Sequence, residues 1–254
     1  MSKLSRRSFI KSSVTGFSVL SAGGIWLPHA EAQMAPFAFF KKKGGVPLTI
    51  TYRGSYTNTT SINPHTLSGC SIGTASADRM VVVCAGSTGA FQDIGSVTVG
   101  GINLSLVSSR SNTNTAWIWA GLVTSGTTAN VVVTHSSSTA FCSFQVYTIK
   151  LETAPTTATS TYGIARTSAT TGWATGANLD IPTGGVGVAC IASGISGGPA
   201  TWTWSNATEG GESDFTTNGG TTSAYRTTAG TTSISATPSI AVTGALTSAA
   251  WGYA

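Results

Sequence analysis

Three acidic residues near the C-terminal end form the densest group of side chains that could do chemistry. Glu209, Glu212 and Asp214 lie within six residues of one another, around a Gly-Gly pair. Glycosidases place two carboxylates on either side of a sugar, so a glycan hydrolase or lyase would have to use this group. Carboxylate oxygens also bind calcium, which makes the three residues a candidate calcium site. The ordered spacing of a calcium loop is missing, which favours a solvated loop and predicts no bound metal.

Other catalytic side chains are scarce. Beyond residue 32 the chain has two histidines, His65 in an Asn-Pro-His turn and His135 at a strand end. Serine is abundant, but no Gly-x-Ser-x-Gly elbow stands between a strand and a helix, and no Gly-rich phosphate loop opens a helix. A hydrolytic triad needs serine, histidine and carboxylate in contact. The sequence therefore predicts surface histidines, no catalytic residue, no cofactor and no enzyme activity.

Four cysteines are too far apart in sequence for a Cys-x-x-Cys zinc site. Cys84 and Cys190 occupy corresponding positions in two similar apolar segments, which predicts small buried side chains. Cys142, on the last strand of the first half, could meet Cys70 or Cys84 in a disulfide. Free buried thiols are the alternative.

Two Trp-x-Trp pairs, Trp117 with Trp119 and Trp202 with Trp204, each place both rings on one face of a strand. Two interpretations are open. The rings either fill a core, or line an exposed platform on which sugars stack.

The first 32 residues have the pattern of an export signal. Arg6-Arg7 is followed by Phe9-Ile10, a mildly apolar stretch and the small-x-small end Ala30-Glu31-Ala32. This pattern resembles a twin-arginine signal peptide, with cleavage predicted after Ala32.

Residues 33–45 combine aromatic and cationic side chains before a Gly-Gly linker. Such a segment could insert into a partner protein, of a virion or an envelope, or lie on an anionic membrane surface. An edge segment packed on the following domain is the alternative. The docking residues are Phe37, Phe39, Phe40, Lys41, Lys42 and Lys43.

The composition favours strands over helices. Charged residues are only 8% of the chain, hydrophobic residues are 41%, and there are 31 glycines. Serine, threonine and glycine replace the missing charges, which suits strands and tight turns. Four of the 13 basic residues and one of the 8 acidic residues precede residue 33, so the rest is nearly neutral. A nearly neutral body lacks the basic face that nucleic-acid binding requires.

Strand patterns recur every eight to twelve residues and predict an all-β fold. Arg79–Ala85 is a continuous apolar run, as in a central strand. Two alternating arms flank Gly100-Gly101, which predicts a hairpin with a primed turn.

The second half repeats the first. Met80–Ala85 matches Val186–Ile191, and four further segments match at offsets of roughly 106 residues. We therefore predict two tandem antiparallel β-sandwiches, jelly-roll or Ig-like, over 46–150 and 151–254, or one larger duplicated sandwich. The other matched segments are Val97–Val99 with Trp202–Trp204, Ala116–Ile118 with Ala224–Arg226, Asn130–Thr134 with Ser239–Thr243, and Phe144–Tyr147 with Ala249–Gly252.

Three segments together resemble uncharacterised Thr/Gly-rich β-sandwich proteins of tailed phages, prophages and gene-transfer-agent-like regions. They are Ala75–Val83, Ser96–Ile102 and Ala120–Ala129, and the tail Ala249–Gly252 adds to them. The resemblance covers roughly residues 48–254. It implies a virion-surface, tail or fibre role with contact to host glycans, and supplies no catalytic residue.

Two function classes follow from the sequence. The first is a phage-type structural or host-attachment protein at the virion surface, in which a homo-oligomer, such as a trimer, is expected. The second is a twin-arginine-exported envelope or secreted protein that binds carbohydrate. The export signal favours the second class, because phage structural proteins assemble in the cytoplasm.

Overall fold

The computed structural model of the chain describes residues 46–88, 94–136, 140–194, 200–216 and 219–253. They all belong to one compact unit that runs from Gly44 to Ala254. The predicted signal peptide and docking segment lie outside the described residues. Within the described ranges, no helix is both long and apolar enough to cross a membrane.

Strands of the first half form two antiparallel sheets. Inner sheet 1 has the order β1-β9-β3-β7-β6, and outer sheet 1 has the order β2-β8-β4-β5. The strands are β1 (Thr49–Ile62), β2 (His65–Ser71), β3 (Arg79–Thr88), β4 (Ile94–Val99), β5 (Ile102–Asn103), β6 (Ser105–Ser111), β7 (Asn114–Leu122), β8 (Thr128–His135) and β9 (Ala140–Lys150).

The pairing in this half is nested. β1 pairs with β9, β2 with β8, β3 with β7, and β4 with β5. Such nesting is what results when one long hairpin rolls up into two sheets, which is the jelly-roll arrangement. The predicted Gly-Gly hairpin is confirmed between β4 and β5, because Gly100 and Gly101 both have positive φ, at 60° and 80°.

The second half repeats this order. Inner sheet 2 is β10-β17-β12-β15-β14, and outer sheet 2 is β11-β16-β13. The equivalences are β1 with β10, β3 with β12, β6 with β14, β7 with β15 and β9 with β17. The strands are β10 (Ser160–Thr170), β11 (Trp173–Ala174), β12 (Val186–Gly194), β13 (Trp202–Ser205), β14 (Thr208–Thr216), β15 (Gly219–Arg226), β16 (Ser235–Pro238) and β17 (Val242–Trp251), with a 3-10 turn at Gly176–Asn178.

The all-β prediction of antiparallel sandwich units is thus confirmed. Three details of the sequence match are wrong. Ser239–Thr243 is not a counterpart of β8, because the equivalent strand is β16, which ends at Pro238. The matches of Ala116–Ile118 and Phe144–Tyr147 name the right strands, β15 and β17, but each is three residues out of register, since Cys84 pairs with Ile118 and Gln145 whereas Cys190 pairs with Ser223 and Thr247. The match to β8 was displaced by a few residues because β16 has only four residues and ends at Pro238, which leaves little apolar pattern to align.

The two inner sheets pack face to face, so the molecule has four layers. β3 lies against β12 and β7 against β17. One core cluster contains Met80 and Val82 from β3 together with Val188 and Cys190 from β12. Each inner sheet therefore has both faces covered, which explains why Met80–Ala85 is apolar without alternation.

Part of this inner interface is polar. Ser143 Oγ is 2.8 Å from Thr221 Oγ1, and Tyr147 OH is 2.6 Å from Ser223 Oγ. Gln145 Nε2 donates to Ser213 Oγ at 2.7 Å. These hydrogen bonds offset much of the cost of burying the hydroxyls and the Gln145 Nε2 group between the sheets, whereas Gln145 Oε1 is buried without a hydrogen-bond partner.

Candidate functional site

A cavity lined mainly by hydroxyl-bearing and cationic residues, here called the Arg53 cavity, opens at one end of the first sandwich. Its volume is about 400 Å³, and three cationic side chains, Arg53, Arg79 and Lys150, lie in its wall. Strands β1 and β9 provide one side, and the loop between β2 and β3 provides the other. The lining residues are Thr49, Thr51, Arg53, Thr74, Ala75, Ser76, Arg79, Thr148 and Lys150.

Arg79 holds the walls of this cavity in place. Arg79 is 3% exposed, and its guanidinium donates four hydrogen bonds to backbone carbonyls. One acceptor, the Gly73 carbonyl oxygen, lies on one loop. The other three are the carbonyl oxygens of Val123, Ser125 and Gly126 on a second loop. Burial lowers the pKa of Arg79, and the charge of Arg53 lowers it further. Arg79 is therefore a structural clamp, whose one remaining N–H leaves it little capacity for a ligand.

Arg53 and Lys150 provide the accessible positive charge. Arg53 Nε donates to Thr148 Oγ1 at 2.8 Å, which fixes the guanidinium on the cavity wall. Lys150 Nζ lies 2.6 Å from Glu152 Oε1, and this contact raises the pKa of the lysine. Beside them, Ser76 donates to Asp78 and lowers the pKa of that carboxyl. A fixed guanidinium among hydroxyl groups can bind a carboxylate or sulfate that carries neighbouring hydroxyls.

The second half has no counterpart of the arginine that holds this cavity together. Because Met80 corresponds to Val186, the position equivalent to Arg79 is Gly185. A Cβ at Gly185 would lie 2.4 Å from the Trp251 carbonyl oxygen, so no side chain fits there. Arg53 and Lys150 are 97 positions apart and come together only because β1 pairs with β9, so no local sequence pattern marks them as a pair.

The two Trp-x-Trp pairs fill cores. Trp117 and Trp119 are 2% and 7% exposed and pack between inner and outer sheet 1. Trp202 and Trp204 are 7% and 8% exposed and pack in the second sandwich. Of the two interpretations, the structure supports core packing, since a stacking platform needs exposed rings.

The acidic residues Glu209, Glu212 and Asp214 lie on β14, which is an edge strand of inner sheet 2. The prediction of a solvated loop is wrong here, because the segment pairs with β15. Glu212 Oε1 accepts a hydrogen bond from Trp202 N at 2.6 Å. Burial raises the pKa of Glu212, and the charges of Glu209 and Asp214 add to that rise. Among the described residues, no group of three or more potential ligands is gathered as a metal site requires.

Both histidines are buried, so the prediction of surface histidines is wrong. His65 is 0% and His135 is 3% exposed, with ring centroids 5.3 Å apart in an edge-to-face arrangement. The pairing of β2 with β8 brings them together. Burial, with the proximity of His65, lowers the pKa of His135 to about 4.

This buried pair predicts acid-sensitive stability. The pKa of His135 in the folded protein lies below the usual 6.5. Its stabilisation of the folded state is therefore complete above pH 6.5 and is lost as pH falls toward 4. We expect the free energy of unfolding to fall by about 2 kcal/mol over that window. His135→Phe should remove most of this slope. Urea unfolding at a series of pH values measures it, and superimposable profiles for the two proteins would contradict the prediction.

All four cysteines are buried free thiols. Cys84 and Cys190 sit on the facing central strands of the inner sheets, and burial raises the pKa of Cys84 well above its usual value, with Cys190 adding to the rise. The predicted small buried side chains are confirmed, and the disulfides considered for Cys142 are not formed. The remaining predicted residues lie outside the described part of the chain: Arg6, Arg7, Ala32, Phe37, Phe39, Phe40, Lys41, Lys42 and Lys43.

No family model, no curated protein and no solved structure matches this chain.

Proposed function

We propose that this chain is a non-enzymatic structural or surface protein of phage type, associated with a tail, fibre or head, that contacts cell-surface glycans through the Arg53 cavity. The observation that supports glycan contact most directly is that cavity: a fixed guanidinium and an ammonium among five hydroxyl-bearing side chains. Hydroxyl groups suit polyols, and the Arg53 guanidinium suits a carboxylated or sulfated sugar, while Lys150 is already paired with Glu152.

The positions of the two histidines and of Glu212 support a non-enzymatic role. Both histidines are in the core of the first sandwich, where burial lowers the pKa of His135 to about 4. Glu212 accepts a backbone hydrogen bond from Trp202. Side chains that are committed to packing and to backbone contacts contribute to stability and are poorly placed to act on a substrate.

A second function is favoured by the Arg6-Arg7 leader: a twin-arginine-exported envelope or secreted protein that binds carbohydrate. The two functions predict different N-termini in the natural producer. A mature chain that begins at Gln33 in the periplasm or medium supports export. An intact N-terminus on protein that co-purifies with virus-like particles supports the virion role.

The glycan proposal predicts a charge-dependent loss of binding. We expect Arg53→Ala to weaken binding of a short oligogalacturonide, measured by isothermal titration calorimetry, at least about tenfold. The carboxylate of that probe would lose its bidentate partner. Neutral dextran oligomers should bind weakly to both proteins.

Arg166→Ala is the matched control, because it removes the same charge from an exposed strand far from the cavity. Titrating each protein at a concentration at which it is monomeric keeps the affinity independent of self-association. Equal affinities of Arg53→Ala and Arg166→Ala for the oligogalacturonide, or no binding by the parent chain, would contradict the proposal.

A further inference from the structure

Both inner sheets end on the same two sides of the molecule. On one side the outermost strands are β6 and β10, joined by a 2.6 Å hydrogen bond from Asn112 Nδ2 to the Arg166 carbonyl oxygen. On the other side they are β1 and β14, which also contact each other. We refer to these sides as the β6/β10 edge and the β1/β14 edge. Within the described residues, each of these four strands pairs on one side only, so its other side presents backbone groups for pairing.

The internal duplication makes the two edges equivalent in shape. The repeat relates β1 to β10 and β6 to β14, so each edge combines one strand of each kind. The contacts between the inner sheets follow the repeat as well. At one edge β6 lies against β10, and at the other edge their counterparts β14 and β1 lie against each other. By backbone shape alone, a second copy could therefore approach with a like edge or with an unlike edge.

The charges on the two edges are opposite. Strands β6 and β10 carry two arginines, Arg110 and Arg166, both exposed, and no carboxylate. Strands β1 and β14 carry three carboxylates and one arginine, Arg53, whose Nε is hydrogen bonded to Thr148. Glu209 and Asp214 are exposed on that edge.

The opposite charges also lie on one face of inner sheet 2. On β10, Arg166 shares its strand face with Tyr162 and Ile164, which pack into the core beneath outer sheet 2. On β14, Glu212 contacts Trp202 of that same outer sheet. If β10 of one copy meets β14 of the next, the arginine and the carboxylates are neighbours on one surface.

We propose that the protein associates with itself head to tail, the β6/β10 edge of one copy against the β1/β14 edge of the next. Contact between like edges would place arginine against arginine or carboxylate against carboxylate, and the repulsion disfavours it. Unlike edges attract. Such a heterologous contact produces a closed ring if the rotation closes and a filament if it does not. This inference does not depend on the glycan proposal.

Charge reversal tests the proposal. We expect the parent chain to associate at low ionic strength in sedimentation velocity and to dissociate as salt rises. Arg110→Glu with Arg166→Glu should weaken self-association at least about tenfold, and so should Glu209→Lys with Asp214→Lys. Glu212 stays in place because it holds the Trp202 backbone.

Two further samples make the test specific. An equimolar mixture of the two reversed variants should associate again, because each presents the edge that the other needs. Arg110→Lys with Arg166→Lys keeps the charge and should associate like the parent, while thermal melting of every variant checks its fold. A parent chain that stays monomeric at all salt concentrations, reversed variants that associate as the parent does, or a mixture that stays dissociated would each overturn the proposal.

Discussion

Replacing Gly244 with alanine should destabilise the protein by at least about 3 kcal/mol. Gly244 is on β17, between β10 and β12, and its φ is 154°. A Cβ there would lie 2.2 Å from the carbonyl oxygen of Ala192, a backbone atom that cannot move away without breaking the pairing with β12. Backbone strain and steric overlap therefore add. Urea unfolding measures the loss.

Gly101→Ala is the control for this prediction. Gly101 also has positive φ, at 80°, but no heavy atom lies within 4 Å of a Cβ built there. It should cost only about 1 kcal/mol, which is the strain of the left-handed conformation alone. A Gly244→Ala protein no less stable than Gly101→Ala would show that inner sheet 2 tolerates the overlap.

Replacing Trp251 with alanine is the second large effect that we expect, at about 3–5 kcal/mol. Its ring is fully buried in the cluster shared by the inner sheets. Its Nε1 donates to the Thr156 carbonyl oxygen at 3.0 Å, which ties the segment between the two halves to β17. The truncation would leave a large cavity and remove that donor.

Trp251→Phe separates the two contributions. Phenylalanine keeps most of the apolar volume and loses the hydrogen bond, so the free energy of unfolding should fall by about 1–2 kcal/mol. Chemical denaturation of both variants gives the comparison. Equal losses for alanine and phenylalanine would mean that packing of the ring contributes little, contrary to its burial.

The proposals on glycan contact and self-association share β1, which carries Arg53, but they rest on two different departures from the internal repeat. Arg79 has Gly185 as its counterpart, so the second half lacks the arginine that holds the cavity walls in place. The two edges kept their shape and diverged in charge. Both differences result from a few charged residues on a scaffold in which only 8% of residues are charged, which is why single substitutions can test them.

The sequence by itself determined the fold class, the duplication and the turn at Gly100-Gly101. These features depend on local pattern: apolar alternation, low charge and glycines where φ must be positive. The continuous run Arg79–Ala85 also indicated a central strand. For the same local reason, the burial of Cys84 and Cys190 was predictable from their equivalent strand positions.

Only the tertiary structure decided how the sandwiches meet and where the functional candidates lie. Serine, threonine and glutamine line part of the inner interface, and such residues look solvent-facing in sequence although Ser143, Gln145 and Thr221 are buried. His65 and His135 entered the core because β2 pairs with β8. Arg53 reached Lys150 because β1 pairs with β9. Those pairings are long-range, and a single chain's local pattern contains no information about which distant strand becomes a neighbour.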